Sequence, residues 1–369
     1  MAGDTRLMKI LYLIAAAEIG GTEKMVIAVA KGLQARGHDP VVVTLSGGGM
    51  FPAAVRSAGI RCTILDIKRR PGSLVSLLSV MRNERPDVLH TFLFIANILG
   101  RCAGRMAGVP VLFSSQRSTD RWRKWYHWLL DGATAPLADC VVSNSVAGRD
   151  VLIRRGIFPD GKIEVVPNGV PVAGYPAAGA RSAWGIGEED PVIGATGNLR
   201  TAKGHEILIR ALPEITKEFP LLKCVLVGEG PLHRELECLA GRLGVENHLV
   251  FTGFQPEPVR LTAFFDVFLQ PSLWEGMPVG LLEAMALKRA CIATPVGDVP
   301  EMIVTGENGI LVPPGDVRAL ARETIALLKD AARRRALGER AFETVRDRYS
   351  EECMIERYET LYRRFVYRR

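Results

Sequence analysis

Met8-Lys9-Ile10-Leu11-Tyr12-Leu13-Ile14-Ala15-Ala16 is apolar almost throughout instead of alternating, the pattern of a strand covered on both faces. Gly20-Gly21-Thr22-Glu23 follows and opens an amphipathic helix over Lys24 to Ala35. A leader peptide can imitate so apolar a start, but the immediate glycine turn and helix favour a buried first strand. Val41 to Leu45 and Arg61 to Ile67 read as the next strands, then Pro86 to Thr91, Pro110 to Phe113, Ala138 to Ser145 and Ile163 to Val170. Helices are read between them, one over Ala96 to Ala107 and another capped by Ser145. Strands separated by helices predict an α/β fold: a parallel sheet with right-handed crossovers, here a Rossmann-like domain over residues 1–170.

Residues 171–190 are rich in Pro, Ala and Gly and read as a linker. Apolar runs resume at Pro191 to Thr196, Cys224 to Val227, Leu249 to Phe254, Val267 to Pro271, Cys291 to Thr294 and Gly309 to Val312. They predict a second domain of the same kind over 191–349, with helices over 316–330 and 331–348 and a last one over 350–366. A length of 369 residues accommodates two such cores. Gly228-x-Gly230 lacks the third glycine and the downstream acid of a dinucleotide fingerprint, so no NAD site is read there.

Charge divides unevenly. Residues 1–168 hold 22 Lys and Arg against 13 Asp and Glu, and the remainder 25 against 27. A basic first half suits an anionic partner, whether nucleic acid, anionic lipid or a pyrophosphate-linked acceptor. No recognised nucleic-acid module is visible. The seven Cys, at 62, 102, 140, 224, 238, 291 and 353, include no Cys-x-x-Cys pair and fit reduced thiols in a cytoplasmic protein. The six His are equally dispersed, so no protein metal site is expected. No apolar run reaches the roughly 18 residues of a membrane span.

The richest stretch for chemistry is Trp274-Glu275-Gly276-Met277-Pro278-Val279-Gly280-Leu281-Leu282-Glu283-Ala284-Met285. A strand precedes it, Gly and Pro punctuate it, and good helix formers close it. Glu275 therefore falls in a loop and Glu283 in the helix that follows. Free backbone N–H groups from Gly276 through Leu282 can take a diphosphate, and each carboxylate can accept from a vicinal diol. A nucleotide sugar has that layout. Two Glu eight apart are also common as a turn residue and a solvated helix residue.

The stretch resembles the E-x7-E motif of the retaining glycosyltransferases of family 4, which have the two-domain GT-B fold. The resemblance extends over Gly253-Phe254, Asp266-Val267-Phe268, Pro271-Ser272, Glu275-Gly276, Glu283-Ala284-Met285-Ala286, Gly297, Pro300-Glu301, Gly309 and Val312-Pro313-Pro314-Gly315-Asp316. It implies two Rossmann-like domains facing each other across a cleft, with the C-terminal helix, residues 350–369, crossing back to the first. It further implies that Glu283 holds the donor ribose and Glu275 a hydroxyl of the donor sugar. The backbone from Gly276 through Met277, Pro278, Val279, Gly280 and Leu281 would receive the diphosphate, and Phe254 would flank the nucleobase. Gly20 and Gly21 would face that diphosphate from the first domain; read alone, they are equally a plain tight turn.

Gly197-Asn198-Leu199-Arg200-Thr201-Ala202-Lys203-Gly204 resembles the family's G-R-L-x3-K-G phosphate loop, with Asn198 in place of the usual Arg. Lys203 is then expected on the diphosphate, with Arg200 taking over the missing charge; solvated surface cations are the plain alternative. Some family members carry a His after the strand that ends near residue 113, whereas this chain has Gln116 and Arg117, which makes Arg117 a candidate for acceptor or phosphate contact. His90, near the end of another strand, either reaches substrate or is a satisfied structural histidine. Arg121 to Leu130 combines basic and aromatic residues, and on a helix Trp122, Trp125 and Trp128 share a face while Arg123 and His127 point away. That helix either lies on a membrane surface or packs on its own domain.

Together these readings predict a metal-independent, retaining transferase that needs no cofactor. Its expected donor is a UDP-sugar and its acceptor is lipid-linked, a polysaccharide or a small molecule. It would be cytoplasmic, with peripheral contact to the inner membrane and no nucleic-acid partner. The competing readings are another GT-B enzyme, inverting or phosphorolytic, a catalytically silent nucleotide-sugar-binding subunit of a transferase complex, and a basic nucleic-acid-binding protein. Sugar, base, acceptor identity and oligomeric state are not legible.

Overall fold

The computed structural model describes residues 6–67, 69, 72–117, 123–175 and 179–368. The chain forms two compact units, residues 1–168 with 351–369, and residues 169–350. Residues 171–190, read as a linker, fall inside the second unit. The two segments that lead out of that unit lie side by side, with Val170 N–H donating to Tyr349 O at 3.0 Å.

The first unit holds β1 (Lys9–Ile14), β2 (Asp39–Thr44), β3 (Arg61–Ile64), β4 (Val88–Phe92), β5 (Val111–Gln116), β6 (Cys140–Ser143) and β7 (Ile163–Val165). All pair in parallel, in the order β3-β2-β1-β4-β5-β6-β7. The second holds β8 (Val192–Thr196), β9 (Lys223–Val227), β10 (Leu249–Phe251), β11 (Val267–Gln270), β12 (Ala290–Ala293) and β13 (Ile310–Leu311), also parallel, in the order β10-β9-β8-β11-β12-β13. Strand order therefore reverses beside β1 in one unit and beside β8 in the other. Crevices that take ligands open at such reversals, outside the carboxyl ends of the strands.

Continuous apolar runs become strands buried on both faces because helices cover both sides. Ile10, Tyr12 and Ile14 of β1 pack with Met25, Val26 and Val29 of the helix Gly21–Ala35. Leu11 and Leu13 pack on the opposite face, with Leu77 and Met81 of the helix Ser73–Glu84. The helix Glu351–Val366 belongs to the first unit, where Tyr358 and Tyr362 are fully buried under the same sheet. Burying one such side chain contributes about 1.5–3 kcal/mol, so that helix is integral to the core. In the second unit the helix His205–Glu218 covers one face of β8 and the helix Val279–Ala286 lies on the other. Ser145 caps the helix Val146–Arg154, its Oγ accepting from Gly148 N–H at 3.0 Å.

Candidate functional site

At the carboxyl edge of the second sheet, β11 ends in Gln270 and the chain turns through Pro271–Pro278 into the helix Val279–Ala286. Glu275 lies in that turn, and its Oε1 accepts from three donors: Lys203 Nζ at 2.7 Å, Ser272 Oγ at 2.7 Å and Gln270 Nε2 at 2.9 Å. Lys203 reaches it from the neighbouring loop after β8, and Leu273 N–H joins the two loops by donating to Ala202 O at 2.8 Å. The approach is close enough to require Gly204, whose φ is +64° and where a Cβ would lie 1.9 Å from Pro271 O. Glu283 sits in the second turn of the helix and is only 8% exposed.

The entrance of that helix leaves its first amide N–H groups without intrahelical acceptors. Thr196, the last residue of β8, points its hydroxyl at the same turn: a Cβ on Gly280 would lie 2.3 Å from Thr196 Oγ1. That hydroxyl is buried and has no hydrogen-bond partner among the described residues. Met277 and Leu281 turn their side chains into the apolar core, so only their backbone faces the entrance. A buried orphan hydroxyl, unpaired amides and a lysine together suit an anion such as a diphosphate.

Lys203 and Arg200, paired in the sequence reading, are drawn to different surroundings. Arg200 is exposed and lines a cavity of about 460 Å³ with Asn198, Glu229, Gly230 and His233. Lys203, the last residue of the turn Thr201–Lys203, is the cation that pairs with Glu275. Phe254, beyond β10, is 44% exposed and free to meet a flat ring. Gly197 lies directly against the Lys203 stem, where a Cβ would be 3.2 Å from Cε.

In the first unit Gly20 and Gly21 follow β1 and begin a helix, and Gly20 N–H donates to Glu23 Oε2 at 3.0 Å. Burial raises the Glu23 carboxyl, partly offset by these backbone bonds and by Arg117. Of its two readings, His90 has the surroundings of the structural histidine. It is fully buried, with Nδ1 2.6 Å from Tyr362 Oη and Nε2 2.8 Å from Ser115 Oγ. Burial, aided by Arg117, holds its pKa well below the ordinary value, so the ring is neutral. Gln116 is likewise an interior residue of β5, 2% exposed, with Oε1 accepting from Arg123 at 3.4 Å. Arg117 remains a candidate: Nη2 donates to Asn168 Oδ1 at 2.5 Å, while Nε and Nη1 are buried without partners among the described residues.

The aromatic stripe is corrected. The helix starts at Trp125, later than the helical phase read from residue 121 assumed, and Trp122 lies outside the described residues. Arg123 points inward, not away: its Nη1 is 2.6 Å from Asp131 Oδ2, and Trp128 packs over its guanidinium at 4.7 Å. Trp125, by contrast, is 75% exposed, beside the exposed Tyr126, Leu129 and Leu130. Sequence reasoning missed Gln270, Ser272 and Thr196 at the carboxyl edge. A polar residue ending an otherwise apolar strand was the signal available for Gln270 and Thr196, whereas Ser272 lies beyond β11 and was quoted only within the resemblance.

Two family models match the chain: glycosyl transferases group 1 over residues 179–344, and glycosyltransferase family 4 over residues 19–173. The chain belongs to the group 1 glycosyltransferases. It is 36% identical over 179 residues to the N-acetyl-alpha-D-glucosaminyl L-malate synthase of Bacillus anthracis, covering 48% of this chain and 47% of that protein. It is 24% identical to the UDP-Gal:alpha-D-GlcNAc-diphosphoundecaprenol alpha-1,3-galactosyltransferase of Escherichia coli, covering 73% of each. Among solved structures it resembles Anabaena HepE in complex with UDP-glucose, with a TM-score of 0.83 and 24% identity over 96% of this chain and 99% of that one. Sucrose-phosphate synthase from Thermosynechococcus elongatus gives a TM-score of 0.82 at 20% identity, over 98% and 100%. This group 1 glycosyltransferase therefore has the GT-B fold, two parallel-sheet Rossmann-like domains.

Proposed function

We propose that this group 1 glycosyltransferase moves a sugar from a nucleotide sugar, with a UDP-sugar as the expected donor, to an acceptor hydroxyl with retention of anomeric configuration. The observation that carries the reading is the Glu275–Lys203 pair beside the helix entrance at Val279. Glu275 holds a hydroxyl of the transferred sugar, and Glu283 the ribose diol. Lys203, with two N–H groups beyond the one given to Glu275, and the helix N-terminus bear the charge that develops on the departing diphosphate. The acceptor oxygen forms the new bond to the anomeric carbon as the bond to phosphate breaks, and its proton passes to the leaving phosphate oxygen. No metal enters this scheme. Support for the donor class comes from the family and from neighbours crystallised with UDP and UDP-glucose.

The acceptor is read as lipid-linked or anionic, handled by the first unit at the cytoplasmic face of the membrane. The basic first half and the exposed Trp125, Tyr126, Leu129 and Leu130 support this. Among the described residues, no helix is long and apolar enough to cross a membrane. The test is to follow hydrolysis and transfer by NMR with UDP-glucose, UDP-galactose and UDP-N-acetylglucosamine, each with and without EDTA. Appearance of the sugar first in its donor configuration, unaffected by EDTA, is expected. First release as the opposite anomer, or dependence on added metal, would overturn retention or metal independence respectively.

A further inference from the structure

We infer that Gln270 and Ser272 are positioning residues that orient the Glu275 carboxylate, presenting Oε2 and not Oε1 to the transferred sugar. The inference rests on the proposed contact between Glu275 and that sugar. Three donors at 2.7–2.9 Å saturate Oε1. Oε2 receives no hydrogen bond from the described residues. A carboxylate buried only for stability would be satisfied on both oxygens, whereas one that grips a hydroxyl keeps one oxygen open and fixed in direction.

Lysine by itself cannot supply that direction. Its ammonium is a mobile point charge on a four-carbon stem. Gln270 and Ser272 supply it because both are rooted in the sheet. Gln270 is the last residue of β11, in register with Ala293 of β12, and is 3% exposed; Ser272 is fully buried. Gln270 Nε2 also donates to Ser272 Oγ at 2.7 Å, so both amide hydrogens are committed, and the Ser272 hydroxyl hydrogen goes to Glu275. Turning the amide over would set its oxygen against the carboxylate. From the next strand Thr294 anchors the segment, its N–H donating to Gln270 O at 3.1 Å and its Oγ1 to Ser272 O at 2.5 Å. The loop carboxylate thus inherits the rigidity of two central strands.

The experiment uses the full chain. Dissociation constants for UDP and for the best UDP-sugar are measured by calorimetry, and kcat by UDP release, for wild type, Gln270→Met, Ser272→Ala and Ser272→Thr. Gln270→Met is expected to lower kcat by about 10- to 100-fold. Ser272→Ala should lower it by roughly threefold to tenfold. UDP affinity stays within about twofold in both, because the nucleotide does not depend on the Glu275 orientation. Ser272→Thr retains the hydroxyl and restores kcat toward wild type. In a Glu275→Gln background Gln270→Met adds no further loss, since the group it orients is already altered. Equal losses of UDP affinity and kcat, or additive losses in the double variant, would mark the pair as merely structural and overturn the inference. If Gln270→Met fails to fold, the Ser272 pair decides alone. Wild-type turnover with unchanged kcat in the variants sinks only this inference. A wild type that neither binds nor turns over any nucleotide sugar sinks the proposed function, and this inference with it.

Discussion

In the first unit His90 commits both ring nitrogens to its own fold, to Tyr362 and Ser115. In the second, Glu275 commits one oxygen to its own fold and, among the described residues, leaves the other open. Both residues sit on or just beyond strands near a reversal of strand order, in sheets of the same topology. The polar groups beneath the first sheet close on one another: Asp131 is shared by Arg101 and Arg123, and Asn97 bridges Thr91 and Ser115. They hold helices in place. At the edge of the second sheet the network stops one atom short, beside an unpaired Thr196 hydroxyl and an open helix entrance. Topology thus marks where a ligand can bind, and at the second edge an open carboxylate oxygen, an orphan hydroxyl and a helix entrance come together. The first unit is not fully closed either: among the described residues, Arg117 Nε and Nη1, Tyr12 Oη, Tyr358 Oη and Asn144 Oδ1 are buried without hydrogen-bond partners.

Asp131→Ala strips the shared carboxylate from two buried guanidinium groups. A loss of about 3–5 kcal/mol is expected in urea unfolding of the first unit, with UDP affinity of the folded protein unchanged. Loss of UDP binding under folded conditions would mean that the first-unit network is not purely structural. Glu275→Gln should do the reverse, lowering kcat on the order of 10²- to 10³-fold while the melting temperature hardly moves. A large drop in stability with modest loss of turnover would contradict the division of roles.

Burial, assisted by the charge of Lys203, lowers the pKa of His205 to about 4. The unfolded chain takes up that proton near pH 6.5, the folded one only near 4. Stability from this group is therefore complete above about 6.5 and lost as pH falls toward 4, by about 3 kcal/mol in all. His205→Gln should flatten the fall in melting temperature across that window, and an unchanged slope would refute the assignment. The smallest effect is expected from Trp125→Ser with Leu129→Ser: several-fold weaker cosedimentation with anionic vesicles, and stability within about 0.5 kcal/mol of wild type. Unaltered vesicle binding would remove the support this patch gives to membrane contact.

Much of this was legible in residue order. Apolar runs placed all thirteen strands to within a few residues; burial on both faces leaves a local signature in the central ones, while β3 and β10 at the sheet edges are only partly buried. The same punctuation put Glu275 in a turn and Glu283 in a helix. The relation of Lys203 to Glu275 was harder, since the two are 72 residues apart and meet only because β8 and β11 are neighbours. His90 was harder still: its partner Tyr362 is 272 residues away, on a helix whose docking a strand pattern does not reveal. Arg123 was misjudged for a simple reason. A long side chain swings through several ångströms, and a single residue of helical phase decides whether it turns inward or outward.

Sequence alone determined the alternation of strands and helices, the two cores and the turns where backbone could approach a ligand, all of which depend on neighbours a few residues away. Tertiary structure decided which polar groups were completed and which were left open. Hydrogen bonds are satisfied by whatever the fold brings within 3 Å, and for Glu275 that was a lysine from one loop and a glutamine and a serine from the end of another strand.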